Sequence, residues 1–219
     1  MNRNLPRDLF AIVVLVLTSL ACSLSSVLPG SGSVLEDDFS GGDSWGTSTD
    51  SSSSIEYADG GLQMKIFTDN YFVWSTPNTE SYENIHIEVT VKNNDTPPTT
   101  AFGVICHQQT ISDSFYYLVM TPAGEYAIAK AALAQTDVFL TNNDQWATSD
   151  LIAQNSASYR LGADCGNGSL SLYVDGQQIA SVSDSSYTVG TVGLLTWSGE
   201  DVSTADVTFD DFVVTKLQQ

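Results

Sequence analysis

The stretch NIHIEVTVK, Asn84 to Lys92, puts Ile85, Ile87, Val89 and Val91 at every second position, with His86, Glu88, Thr90 and Lys92 between them. Successive side chains of a strand point to opposite faces, so this segment reads as a β-strand with one face on a core and one in water. The same period recurs in both directions from it, and between Val34 and Lys216 apolar residues almost never recur at three- and four-residue spacing. Turn signals separate the runs: ADGG at 58–61, PAGE at 122–125, GNGS at 166–169 and VDGQ at 174–177. Each predicts a tight antiparallel connection.

About a dozen strands follow from these signals, at 34–40, 53–58, 61–67, 70–76, 84–92, 100–108, 114–121, 125–131, 158–165, 169–175, 177–182, 190–197 and 205–216. So many short strands in one domain imply two packed sheets or a barrel. No longer fixed period is present, which argues against a propeller or a solenoid. The stretch AKAALAQTD, 129–137, is long enough for one or two turns of helix, but nothing caps it strongly and it is read as loop.

The first residues are of another kind. Arg3 and Arg7 precede an apolar run from Leu9 to Leu17 that ends in small residues, the pattern of an export signal over 1–21. The run is shorter than the ~20 apolar residues a transmembrane helix needs. LTSLAC at 17–22 resembles the lipobox of bacterial lipoproteins, which implies acylation of Cys22, although Ser19 stands where that pattern prefers an aliphatic residue. The alternative is an ordinary signal peptide cleaved near Ala21, leaving Cys22 free. Residues 22–33, rich in Ser, Gly and Pro, read as a flexible tether to a domain spanning 34–219. The expected location is therefore the outer face of a bacterial membrane or the cell surface, with lipid as the only membrane contact.

Three cysteines are an odd number. Assigning Cys22 to lipid leaves Cys106 and Cys165, expected to pair as a disulfide in an exported protein, with two buried thiols as the alternative. Without residues 1–21 the chain loses Arg3, Arg7 and Asp8, and 5 basic against 25 acidic residues give a formal charge of −20. Such a surface repels nucleic acid and anionic lipid headgroups.

A DDF triplet occurs near both ends of the domain, at Asp37-Asp38-Phe39 and Asp210-Asp211-Phe212. In the second copy Val207 and Phe209 alternate correctly but Phe212 and Val214 are out of phase, which predicts a β-bulge at Asp210-Asp211. With DDFSG at 37–41, DDFVV at 210–214 and the LSLYVDGQQIA hairpin at 170–180, the chain resembles the concanavalin A-like lectin/glucanase superfamily in its LamG-like members. The resemblance implies an all-β, two-sheet antiparallel jelly-roll β-sandwich whose terminal strands pair. It also implies a structural Ca²⁺ at Asp37, Asp38, Asp210 and Asp211, whose oxygens are of the type calcium prefers. The alternative is that these aspartates blunt a strand edge or accept hydrogen bonds from turn amides.

The glucanases of this superfamily carry E-x-D-x-x-E on one strand, and that pattern is absent. There is no G-x-S-x-G elbow, and His86 and His107 are the only histidines, so no catalytic residue is assigned. Sugar binding is better provided for, because aromatic faces stack on pyranose rings. The candidates are Trp74, Tyr116, Tyr117, Trp146 and Trp197, with Tyr71 and Tyr126 as further aromatics. In FYYLVM, 115–120, adjacent tyrosines must point to opposite faces, so one of Tyr116 and Tyr117 leaves the core side. Trp146 lies in the polar stretch TNNDQWATSD, where an indole needs a packing or binding reason. The expected role is a noncatalytic carbohydrate-binding domain with glycan or polysaccharide as partner. A divergent glycoside hydrolase of the same fold, or an adhesion module with a protein partner, is the alternative.

Overall fold

The computed structural model describes residues 32–217 except 78, 79, 95, 111 and 203. The export signal, Cys22 and the tether up to Ser31 lie outside the described residues. Every element described is a strand. In chain order they are β1 (Ser33–Asp37), β2 (Ser48–Thr49), β3 (Ser53–Ala58), β4 (Gly61–Ile66), β5 (Phe72–Ser75), β6 (Ile85–Asn93), β7 (Ala101–Gln109) and β8 (Ser114–Met120). They continue as β9 (Glu125–Ala131), β10 (Val138–Phe139), β11 (Ala147–Thr148), β12 (Ser158–Gly166), β13 (Ser169–Val174), β14 (Gln177–Ser183), β15 (Thr191–Trp197) and β16 (Ala205–Lys216).

Two antiparallel sheets form a sandwich. The first runs β14-β13-β12-β6-β16-β4-β3-β2, with β1 also on β16; the second runs β10-β9-β8-β7-β15-β5, with β11 also on β9. The four predicted hairpins are all present, joining β3 to β4, β8 to β9, β12 to β13 and β13 to β14. Three of them turn on an Asp-Gly or Asn-Gly pair with both residues at positive φ: Asp59-Gly60, Asn167-Gly168 and Asp175-Gly176. That geometry matches the right-handed twist of the flanking strands.

Strand β6 shows the expected alternation, with Ile85, Ile87, Val89 and Val91 buried and the residues between them partly exposed. These four face Phe102, Val104, Leu118, Ile128 and Leu194 of the second sheet in one continuous core. Burying each such side chain contributes about 1.5–3 kcal/mol. Across this core Cys106 of β7 is bonded to Cys165 of β12, so the predicted disulfide ties one sheet to the other.

The last strand carries the predicted bulge. Register along β6 shifts between Asp210 and Val213, and Asp211 has φ 50°. The step has a structural cause, because β16 changes neighbour there: β4 pairs with its first half, from Ala205 to Phe209, and β1 with its second half, from Phe212 to Thr215. The terminal strands β1 and β16 therefore pair, and the phase change keeps both Phe209 and Phe212 fully buried. Close contact at this junction also dictates Gly61, where an added Cβ would lie 2.3 Å from the Phe209 carbonyl oxygen.

The outer face of the first sheet is polar. His86 Nδ1 lies 2.6 Å from Asp164 Oδ1 and its Nε2 lies 3.4 Å from Glu88 Oε1. Arg160 donates to Glu88 Oε2 at 3.0 Å, and Tyr173 donates its hydroxyl to Asp164 at 2.7 Å. The hydrogen bond to Asp164 holds the His86 pKa above its ordinary 6.5 despite partial burial. Burial opposes ionisation of Glu88, but Arg160 and His86 outweigh it and lower its pKa from 4.5. In the same way His86 and Tyr173 outweigh burial at Asp164 and lower its pKa from 3.8.

Two expected outcomes follow. Reducing Cys106–Cys165, which are 59 residues apart, lowers unfolding free energy by about 4 kcal/mol in the chain-entropy account, read by denaturant titration with and without reductant. The polar network contributes most between pH 4.5 and 6.5. Above that window stability falls as His86 loses its proton through its raised pKa, and below it stability falls as Glu88 and Asp164 gain theirs through lowered ones. In His86→Gln the alkaline decline of a pH-resolved denaturation series flattens; an unchanged profile would remove His86 as its cause.

Candidate functional site

The second sheet departs from a one-sided pattern: β7 is buried from Ala101 to Gln108, and β8 along its whole length. One face of these strands packs in the core between the sheets. The other forms a separate apolar cluster that includes Ala101, Ile105, Phe115, Tyr117, Val119, Ala127, Ala129 and Leu195. This outer face is the floor of a cleft of about 650 Å³.

Small residues leave the cleft open where Ala101, Ala131 and Ala132 line it beside Val119 and Leu195. Strand β9 reads EYAIAKA, and its alternation sends Tyr126 and Ile128 to the inter-sheet core while Ala127, Ala129 and Ala131 face outward. Strand β7 likewise contributes Ala101 to this face. At Gly103 an added Cβ would sit 2.0 Å from the Leu118 carbonyl oxygen, so only glycine permits the close approach of β7 to β8.

Aromatic side chains rise from the strands around this floor. Phe72 and Trp74 come from β5, and Phe72 stacks on Phe115 of β8 with ring centroids 6.4 Å apart and planes at 16°. Trp197, from β15, lies beside Trp146 at 6.2 Å with planes also at 16°. Trp146 in turn contacts Phe139 at 5.7 Å. Trp74 is 44% exposed and Tyr117 only 7%, so the walls present rings while the floor hides them.

Phe139 ends β10 and Trp146 directly precedes β11, and the polar turn between them explains why an indole is there. Asn142, Asn143 and Asp144 all have positive φ, a left-handed turn these residue types tolerate. Asp144 accepts the Phe139 amide at 2.8 Å, and Asn142 donates to the Trp146 carbonyl at 2.6 Å. Short pairings of β10 and β11 with β9 fasten both ends. The turn thus sets Phe139 and Trp146 on the cleft wall.

Polar groups are few and sit at the rim. Tyr117 donates its hydroxyl to Asp137 at 2.9 Å, and burial together with that carboxylate pushes its pKa well above the usual range, so the phenol keeps its proton. Trp197 Nε1 donates to Asn70 at 3.3 Å. Asp113, Asp144 and Glu200 also line the opening, and all four rim carboxylates lie on loops. A shallower cavity of about 450 Å³, lined by Asp43, Gln108, Thr110 and Thr191 among others, shares Asp113 with the cleft.

Four of the five sequence-derived binding candidates, Trp74, Tyr117, Trp146 and Trp197, therefore meet in one place. Tyr116 is not among them. It points the other way on β8, is fully buried in the inter-sheet core, and donates its hydroxyl to Asp184. Burial first, and then Asp184, push its pKa up to about 12. Tyr71 and Tyr126 also pack against the inter-sheet core. Phe72, Phe115 and Phe139 were not among the candidates, nor were the cleft-lining Ala101, Ala131 and Ala132; the alternate alanines of EYAIAKA were the available signal that this strand has a second apolar face.

The four DDF aspartates do not fit a calcium cage. Asp37 accepts the Phe39 amide at 2.7 Å and the Trp45 indole at 3.0 Å, and Asp38 accepts the Ser40 amide at 3.0 Å. Asp210 is held by Lys92 at 2.8 Å and by the Asp211 amide at 2.9 Å, while Arg160 bonds the Asp211 carbonyl. Among the described residues no three metal-ligating side chains gather at one point. Their observed work is the alternative one, capping turns and a bulge: Asp37 fixes Trp45, which packs edge-on against Phe212 at 5.0 Å.

Neither histidine lines the cleft. His86 lies in the polar network outside the first sheet. His107 sits on a bulge of β7 at φ 52°, its ring nitrogens 3.0 and 2.7 Å from the carbonyls of Tyr187 and Glu83.

No family model and no curated protein sequence matches the chain. Solved structures do. The carbohydrate-binding module CBM66 from Bacillus subtilis superimposes with a TM-score of 0.60 at 14% identity, covering 79% of this chain and 96% of that one. A Bacillus subtilis protein of unknown function with a galectin-like fold gives 0.63 at 12%, covering 86% and 99%. The catalytic domain of a laminarinase from Thermotoga petrophila gives 0.58 at 10%, covering 87% and 99%. With its two antiparallel sheets, paired terminal strands and these neighbours, the domain is a concanavalin A-like jelly roll.

Proposed function

We propose that this domain binds glycan, without catalysing its cleavage, in the aromatic cleft of the second sheet. The observation that carries the reading is the pairing of near-parallel rings, Trp146 beside Trp197 and Phe72 beside Phe115, in a cleft that the small residues Ala101, Ala131 and Ala132 leave open. Pyranose rings present flat C–H faces to such walls and hydroxyls to rim groups such as Asn70 and Asp137. The neighbouring cavity past Asp113 leaves room for a ligand longer than one sugar. The carbohydrate-binding module among the structural neighbours supports the same reading.

The hydrolase alternative has weaker support, although a laminarinase is also a neighbour. Retaining hydrolysis needs two carboxylates held about 5–5.5 Å apart at the sugar, usually on one strand in this superfamily, whereas the four carboxylates of this cleft, Asp113, Asp137, Asp144 and Glu200, all stand on loops. Export, and anchoring by lipid at Cys22, is proposed from the N-terminal sequence. It would place the cleft where polysaccharide is met.

The test is a glycan array and insoluble-polysaccharide pull-down with the exported chain, beside an assay for released reducing ends. Saturable binding to one glycan class is expected, weakened about tenfold in Trp146→Ala and again in Trp197→Ala, with no reducing ends released. Binding unaffected by either substitution would place the site elsewhere, and release of reducing ends would make the domain a hydrolase.

A further inference from the structure

The rings of the cleft are matched with charge of a single sign. Asp113, Asp137, Asp144 and Glu200 line it, and no Lys, Arg or His does. The basic residues of the described domain are Lys65, Lys92, Lys130, Arg160 and Lys216. Four are committed elsewhere, Lys65 to Asp206, Lys92 to Asp210, Lys130 to Asp184 and Arg160 to Glu88, and Lys216 lies near the end of β16 in the first sheet. The acidic rim therefore has no internal counter-charge.

Two independent features then select the same ligand chemistry. Faces of Trp, Tyr and Phe carry a negative quadrupole that attracts a cation lying over them. Carboxylates at the rim attract the same cation, and an apolar cleft strengthens that attraction by displacing water. They repel a uronate or a sulfated sugar for the same reason. Asp137 already accepts from Tyr117 and Asp144 from the Phe139 amide, whereas Asp113 and Glu200 have no hydrogen-bond partner among the described residues.

Resting on the glycan reading, we propose that the cleft is selective for sugars bearing a free ammonium group, such as oligosaccharides of 2-amino-2-deoxyhexose, and that Asp113 and Glu200 confer the selectivity. The aromatic walls take the ring and the rim carboxylates take the ammonium. N-acetylated sugars of the same skeleton keep the stacking and lose the charge.

Calorimetric titration of the full chain with a fully deacetylated chito-oligosaccharide, its N-acetylated counterpart of equal length, a polyuronate and a linear polyamine decides it. The deacetylated sugar should bind at least about tenfold more tightly than the acetylated one at low salt, with the ratio shrinking as salt rises and no binding of the polyuronate. In Asp113→Asn/Glu200→Gln that ratio falls towards one. In Glu36→Gln/Glu56→Gln, which removes two exposed acids of the first sheet, it is retained; this control separates the cleft from the chain's overall negative charge. Equal or tighter binding of the acetylated sugar, or a preference that survives Asp113→Asn/Glu200→Gln, overturns the selectivity while leaving the glycan reading intact. If the polyamine binds as tightly as the amino sugar with the same loss in Trp146→Ala, or if no sugar binds, the glycan reading fails and the selectivity for amino sugars falls with it.

Discussion

A sheet can pack against only one partner sheet, yet the central strands of the second sheet are apolar on both faces. One face goes to the inter-sheet core, where Phe102, Leu118 and Ile128 meet the isoleucines and valines of β6. The other has no sheet to cover it. It is covered by its own tall aromatics and by the segment that carries Phe139 and Trp146, and small residues between them leave the cover incomplete. The cleft is thus the place where this apolar face is least hidden. Its energetic cost and its capacity to bind have one origin, because apolar surface left in water is surface that a ligand can cover.

That arrangement needs a rigid base. The Cys106–Cys165 bond joins β7, part of the cleft-bearing sheet, to β12 of the other sheet. Strand β16 closes the first sheet by pairing with β6 throughout and with β4 and β1 in succession. The bulge at Asp210-Asp211 lets one strand keep an apolar face inward while its neighbour changes. Lys92 holds that bulge from the adjacent β6 and Arg160 reaches it from β12, one strand further, so two of the few cations of this acidic chain serve its closure.

Polar chemistry is divided between the sheets. The outer face of the first carries an interlocked set of His86, Glu88, Arg160, Asp164 and Tyr173, each with a partner. The cleft of the second carries carboxylates on loops without cations. Groups that neutralise one another stabilise a surface, and groups of one sign over aromatic faces are free to meet a ligand of the other sign.

Much of the fold was legible from local rules. Alternation in NIHIEVTVK, Asp-Gly and Asn-Gly turns, and the phase break at Asp210-Asp211 are properties of neighbouring residues, and strand pleat and left-handed backbone tolerance act at that range. The short strands β2, β10 and β11 were not legible, because two residues carry no period and are strands only through the neighbours they lie against. Alternation required that Tyr116 and Tyr117 part company, but only the packed sheets decided that Tyr116 is buried beside Asp184 and Tyr117 faces the cleft. The acidic DDF ends were visible as a pattern, while their partners Trp45 and Lys92 come from other strands and loops. The sequence by itself determined the sandwich, its hairpins and its excess of acid. Tertiary structure alone brought Phe72, Trp74, Phe139, Trp146 and Trp197 together, because a binding face is assembled from strands adjacent in space, and spatial adjacency is set by the packing of the whole core.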